Sequence, residues 1–517
     1  MTFNSFEFML LFLPVFILVM QLTKRIIMVR PQYKEACKFI IIAFSLVFYA
    51  TFGVKNALVL GASVIINAVG AYFLAKGIES GKEGQGPDQK FSPRNVLFVV
   101  LLGINVASLL FFKFSGVFFP VAVSFYTFNQ ISYVVDLYRR DIEKFSLIDY
   151  LTYILFFPKI LQGPLMGYGD FVKELDKAVS PAARDKSTKT DGYELALRSL
   201  LLLSMGLFKK VILADSFGRA VDYGYDNLMA LGSLEAVLVA VFYSFQLYFD
   251  FSGYCDMAAA ICMMIGFDLP DNFNSPYKAV NIIDFWKRWH ISLTKFFTKY
   301  VYIPLGGNRK GAARMYVNFM IVFLLSGLWH GNGLNFIVWG AMHGVLYVIT
   351  RAVAAGGKSW KADVHNKQTD GDKKATDNRN LVLAFKTGIR VLLTFIYVTV
   401  AWVFFRAATI SDALVLLKRV FTGGSKAVAT GISACFQLDE LWYVIKVTPL
   451  MKFGFVWEIC MWLFLIGSAV MIFFGKNAIE ISKNCKISVK TTVLTAFLLV
   501  WSIVSFAGVS TFLYMNF

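Results

Sequence analysis

Apolar runs separated by short basic stretches recur along nearly the whole chain. A helix needs about 20 mostly apolar residues to cross the hydrocarbon core of a bilayer. Runs of that kind occupy 6–23, 37–54, 57–75, 95–112, 118–138, 195–217, 234–252, 316–331, 333–351, 386–405, 455–474 and 491–513. Some are short or polar at one end, so the pattern predicts about eleven transmembrane helices in an all-α integral membrane fold. The first run is followed, not preceded, by Lys24, Arg25 and Arg30. A cleaved export signal carries its charges in front, so the run reads as a retained span with its N-terminus outside.

Two segments fit neither spans nor loops. Residues 146–168 are broken by Pro158, Gly163 and Pro164, and 281–305 mix charges, aromatics and a histidine. Irregular backbone at membrane depth survives only under a cover of protein or along a water-filled cavity. Both are therefore expected to be re-entrant or cavity-lining. The stretches 79–94 and 355–381 are rich in Gly, Lys and Asp and read as solvated linkers. The 517 residues (57% hydrophobic, 16% charged) read as one polytopic membrane domain. Its sections are N-terminal spans in 1–117, a core in 118–407 and C-terminal spans in 408–517.

Charge sets the orientation. The net charge of +18 would suggest nucleic-acid binding in a soluble protein. Here the Lys and Arg residues sit mostly between apolar runs, in the positive-inside pattern of a multi-pass protein. That places 24–38, 76–95, 139–194, 278–314, 352–385 and 475–490 in the cytoplasm. It leaves 406–454 as a long loop outside. The expected surroundings are a lipid bilayer, with no nucleic acid. The six cysteines include no C-x-x-C pair, so neither a disulfide nor a metal site is expected.

Candidate chemistry centres on the histidines, of which there are four. His330 stands between two apolar runs, and an ionisable group there is a functional candidate by default. Its bland alternative is a hydrogen bond to a neighbouring helix. His290 follows Trp286, Lys287, Arg288 and Trp289. The alternative there is an interfacial helix with Trp as belt residues and Lys/Arg toward head groups. His343 reads as a packing residue and His365 as a solvated linker residue. Asp250 and Asp256 suggest either a proton or ion site or an interhelical hydrogen-bonded cluster.

Neutral imidazole accepts a proton near neutrality, which suits removal of a hydroxyl proton during attack on a thioester. The resulting oxyanion needs a hydrogen-bond donor, for which Asn332 and Asn335 are nearby candidates. Lys287, Arg288, Arg309 and Lys310 would form a basic cytoplasmic mouth attractive to a phosphate-bearing donor such as coenzyme A. No Walker A, H-E-x-x-H or G-x-S-x-G pattern competes.

The block FNSPYKAVNIIDFWKRWHISLTKFFTKYVYIPLGGNRKG, followed by LLSGLWHGNGLNFIVWGAMHG, resembles the membrane-bound O-acyltransferases (MBOAT). The resemblance extends to PVAVSFYTFNQISYVVDLYR at 120–139, FFPKILQGPLMGY at 156–168, YSFQLYFDFSGYCDMA at 243–258 and AWVFFRA at 401–407. It is to the bacterial branch that includes the alginate O-acetyltransferase membrane subunit, the peptidoglycan O-acetylation subunit and the D-alanyl transferase of teichoic acids. The stretch YIPLGGNR at 302–309 is similar to the polysaccharide-acetylating side. Thr298 and Lys299 depart from the branch, where Arg-Asp is more usual.

The resemblance implies a ring of transmembrane helices around a thinner centre, with a tunnel from the cytoplasm. It implies that His330 is the catalytic base and that His290 positions the acyl carbonyl or stabilises its oxyanion. Trp286, Lys287, Arg288, Trp289, Trp329, Asn332, Asn335, Asn308 and Arg309 are the candidate substrate-binding residues around them. The expected donor is acetyl-CoA or another acyl thioester. The expected partner is an extracytoplasmic SGNH esterase-like acyltransferase that O-acetylates an exported polysaccharide, at the inner membrane of a bacterium. D-alanyl transfer, peptidoglycan O-acetylation and a non-catalytic export scaffold are the alternatives.

Overall fold

The computed structural model describes residues 1–79, 92–179, 192–356, 373–425, 427–508 and 512. Of the expected linkers at 79–94 and 355–381, residues 80–91 and 357–372, with His365, lie outside the described residues, as does most of the C-terminal tail. Residues 373–381, read as linker from sequence, instead form the start of helix Lys373–Arg406. Each of the twelve apolar runs falls, among the described residues, mainly on helix. Among the described residues, eight helices are long and apolar enough to cross a membrane. They are Glu7–Val29, Val54–Gly77, Pro93–Phe114, Ser233–Met264, Ala312–His330, Leu334–Ala355, Val382–Arg406 and Val456–Phe473.

The other runs form shorter helices: Ala36–Ala50, Val123–Tyr138 and Val489–Val504 have 15, 16 and 16 residues. The run 195–217 is not one straight span. It is a helix over Gly192–Leu207, π-helical turns over Phe208–Ala214 and a further helix over Asp215–Asp226. Hydropathy registers the apolar content of a run but not where its helical hydrogen bonding changes register.

The chain divides into two compact units. One comprises Met1–Ile212, Asp250–Asp271 and Ala478–Phe517; the other comprises Leu213–Phe249 and Asn272–Asn477. The chain therefore passes between units four times.

In the first unit, the broken segment 146–168 is covered by protein, as its irregular backbone requires. Helix Leu147–Leu155 stops at Phe156, and a short turn, Phe157–Ile160, follows. The Phe157 ring packs among Phe3, Phe8, Phe12, Phe16 and Phe48 at centroid distances of 5.0–6.4 Å. The Phe157 N–H released by the break donates to Ser45 Oγ at 3.1 Å.

The same unit settles the nature of the two aspartates. Lys209 Nζ meets Asp256 at 2.6 Å, and Lys210 Nζ meets Asp250 at 2.7 Å, all four side chains being buried. They are buried ion pairs, which charges in a low-dielectric interior require. The pairs sit where two backbones touch. A Cβ on Gly206 would lie 2.8 Å from the Gly253 carbonyl oxygen, and one on Gly253 would lie 2.8 Å from that of Gly206. Small residues permit this approach, as at other intramembrane crossings.

In the second unit, the stretch expected to be a long outer loop contains helices. Ile410–Thr422 opens with a reciprocal cap between Thr409 and Asp412. Thr430–Ala434 and Asp439–Lys446 follow it. Arg419 donates from Nε to the Leu231 carbonyl at 2.8 Å, so a residue expected to be a loop charge ties two elements together.

Candidate active site

Helices Ala312–His330 and Leu334–Gly356 form a tight antiparallel hairpin. A Cβ on Gly327 would lie 2.4 Å from the Phe336 carbonyl oxygen, and one on Gly340 would lie 2.5 Å from that of Phe323. Any side chain at either position forces the backbones apart. His330 is the last residue of the first helix, which ends because Gly331 adopts an extended conformation.

The His330 ring is buried in aromatic surface. It meets Trp339 edge-on at 5.1 Å, Phe405 at 4.9 Å and Trp329 at 4.4 Å. His343, one turn beyond Trp339, packs against that indole at 5.0 Å and accepts a hydrogen bond at Nδ1 from Trp286 Nε1, 3.3 Å away. Trp402 stacks on Trp339 at 5.6 Å and reaches Trp289 at 5.1 Å. A continuous series of rings thus runs from Trp289 through Trp402 and Trp339 to His330. The two histidine-bearing blocks, 40 residues apart in sequence, meet in one aromatic core.

His290 is reached through Trp289. Helix Ile282–Arg288 ends, Trp289 is extended, and His290 takes a left-handed conformation with φ 43° before helix Ile291–Phe297 begins. A non-glycine residue held there costs on the order of 1–3 kcal/mol and persists only where its surroundings over-determine it. The surroundings do so. Asn274 N donates to Arg288 O at 2.9 Å and Ile291 N donates to Asn272 O at 3.0 Å. His290 Nδ1 lies 3.1 Å from Asn272 Oδ1. Burial pushes the His290 imidazole down to about 3, so the ring is neutral at ordinary pH.

The remaining expected residues separate into groups. Trp286, Trp289 and Trp329 join the aromatic core. The first two are buried, at 8% and 2% exposure, which removes the alternative of an interfacial helix with tryptophans among head groups. Lys287 is exposed, whereas Arg288 is engaged with Asp284 at 2.8 Å. Asn308 and Arg309 are exposed on a turn whose Gly307 carbonyl accepts from Asn318 Nδ2 at 3.0 Å. Asn332 is exposed. Asn335 is not placed as an oxyanion donor: its Nδ2 donates to the carbonyls of Phe404 (3.2 Å) and Ala407 (2.8 Å). It clamps the end of one helix to the start of another.

Asn272, Trp339, Trp402 and Phe405 were not singled out in the sequence. Trp339, Trp402 and Phe405 lie inside the blocks VWGAMHG and AWVFFRA. Asn272 lies one residue before the block that contains His290, and no local pattern marks it.

Comparison with known proteins identifies the family. The model of the membrane-bound O-acyltransferase family matches residues 137–355. The peptidoglycan O-acetyltransferase of Helicobacter pylori is 34% identical over 439 residues, covering 77% of this chain and 75% of the relative. The probable alginate O-acetylase AlgI of Pseudomonas fluorescens is 32% identical over 429 residues, covering 82% and 76%. The teichoic acid D-alanyltransferase of Bacillus subtilis is 31% identical over 265 residues, covering 48% and 63%. The chain belongs to the membrane-bound O-acyltransferase family and is a multi-pass membrane acyltransferase.

Proposed function

We propose that this acyltransferase takes an acetyl group from a cytoplasmic thioester, acetyl-CoA being the first candidate, and passes it across the bacterial inner membrane. The acetyl group then O-acetylates an exported cell-surface polysaccharide. The observation that carries this reading is the convergence of the His290 and His330 blocks on one buried aromatic core. Such a core excludes bulk water from a thioester that would otherwise hydrolyse. In this reading His330 takes the proton of the attacking hydroxyl and His290 orients the substrate beside it. Relatives named for alginate and peptidoglycan O-acetylation support acetyl as the group transferred. The resemblance to a branch that works with SGNH esterase-like partners supports an extracytoplasmic acyltransferase of that class as the receiving protein.

The test is transfer of radiolabel from acetyl-CoA to extracytoplasmic material by membranes carrying the full chain. General acid–base catalysis is worth about 10²–10⁴-fold, and His330→Ala should lose that much; undiminished transfer would remove the proposed base. D-alanyl transfer is a second reading, favoured by the teichoic acid D-alanyltransferase relative. Transfer from a D-alanyl-loaded carrier protein, with none from acetyl-CoA, would establish it instead. A non-catalytic scaffold would leave acylation intact in both histidine variants while export failed.

A further inference from the structure

We propose that Asn272 is a positioning residue that commits His290 to a single tautomer, with the proton on Nδ1 and the lone pair on Nε2. Nε2 thereby accepts a hydrogen bond from a donor group of the substrate. The inference rests on the reading of His290 as part of the acyl-transfer site and goes beyond it by assigning what each ring nitrogen does.

The argument is one of hydrogen-bond inventory. The oxygen and nitrogen of an amide side chain are distinguished by their partners. At Asn272 the partners decide the matter. The backbone N–H of Ser292 lies 3.1 Å from Oδ1, and a backbone N–H can only donate. Ser292 Oγ donates to the same atom at 2.8 Å. The atom at the centre is therefore the carbonyl oxygen, which only accepts. His290 Nδ1, 3.1 Å from that oxygen, must then carry a hydrogen. A neutral imidazole protonated at Nδ1 has its lone pair on Nε2.

The backbone makes this arrangement hard to escape. The hydrogen bonds joining 272–274 to 288–291 fix the two segments side by side. The left-handed turn at His290 brings its ring back onto the side chain at 272. A flip of the Asn272 amide would set an N–H against the Ser292 N–H, leaving a buried donor unsatisfied at a cost of about 1–3 kcal/mol.

The consequence concerns the division of labour. Of the two roles expected for His290 from sequence, positioning the acyl carbonyl or stabilising its oxyanion, the second needs a donor aimed at the carbonyl oxygen. A neutral His290 whose only hydrogen is held by Asn272 has none to offer there. It grips an O–H or N–H of the substrate, and the oxyanion is served by other groups.

Two substitutions at 272 test this in full-length protein in membranes, with radiolabelled acetyl-CoA as donor. Asn272→Asp keeps an acceptor for His290 Nδ1 and for both Ser292 donors. It should retain kcat within about 10-fold. Its carboxylate should also raise the proton affinity of His290 and move the acid limb of kcat/KM upward by about one pH unit or more. Asn272→Leu should lower kcat by about 100-fold with little change in the KM for acetyl-CoA. An unmoved acid limb in Asn272→Asp overturns the inference even if Asn272→Leu does not fold, as does wild-type kcat in Asn272→Leu. Loss of transfer in His290→Ala alongside unaffected Asn272 variants refutes the positioning role alone. Full transfer in both His290→Ala and His330→Ala refutes the reading beneath it.

Discussion

Removing one member of the Lys210–Asp250 pair should destabilise the protein far more than removing both. The Nζ–Oδ1 distance is 2.7 Å, and the side chains are 1% and 2% exposed. At that separation and an effective dielectric of about 20, the Coulomb attraction is roughly 6 kcal/mol. Desolvation takes back several kcal/mol per ion, so the pair as a whole contributes little net stability. Either ion deprived of this partner loses the main compensation for its burial, at about 3–5 kcal/mol. Asp250→Asn and Lys210→Met should each show a loss of that order. Asp250→Asn should fall at the lower end, because Lys210 also lies 4.8 Å from the centroid of the Phe512 ring, a contact worth about 0.5–2 kcal/mol. The double variant should recover most of the loss. The assay is unfolding of purified protein in mixed detergent micelles with rising dodecyl sulfate, followed by tryptophan fluorescence for wild type, both singles and the double. Single variants no more costly than the double would refute the reasoning, because the two ions would then not depend on each other.

Three further outcomes follow from the same geometry. Gly340→Val should separate the hairpin that carries His330, because a Cβ there would sit 2.5 Å from the Phe323 carbonyl oxygen; acyl transfer should fall at least about 10-fold while membrane insertion, read by protease protection, is unchanged. Asn335→Ala removes a donor to two carbonyls and should cost about 1–3 kcal/mol of stability in the same unfolding assay. Acid should weaken the fold through His290: its ring takes a proton below about 6.5 when unfolded but only near about 3 when folded. The unfolded state then binds more protons between those values, so stability falls as pH drops from about 6.5 toward 3. His290→Asn should flatten that part of the profile relative to wild type, and an unchanged slope would contradict the burial argument.

What the sequence determined by itself follows from properties that add along a chain. Hydropathy is local, so among the described residues every apolar run lands mainly on helix. The breaks at 146–168 and 281–305 were legible because proline, glycine and charge interrupt an apolar pattern wherever they fall. His330 stood out for the same reason: an imidazole between two apolar runs is costly regardless of its neighbours. Identity between residues distant in sequence is another matter. That Asp250 and Asp256 face Lys210 and Lys209 depends on π-helical turns and a glycine crossing that hydropathy does not register. That Trp286 and Trp289 are core residues depends on Trp339, Trp402 and His343 arriving from other helices. That Asn335 clamps a helix end, while Asn272 holds the histidine, was decided by hydrogen bonds 18 to 72 residues long in sequence separation. A side-chain amide has the same composition in either role, and only its partners in space distinguish them.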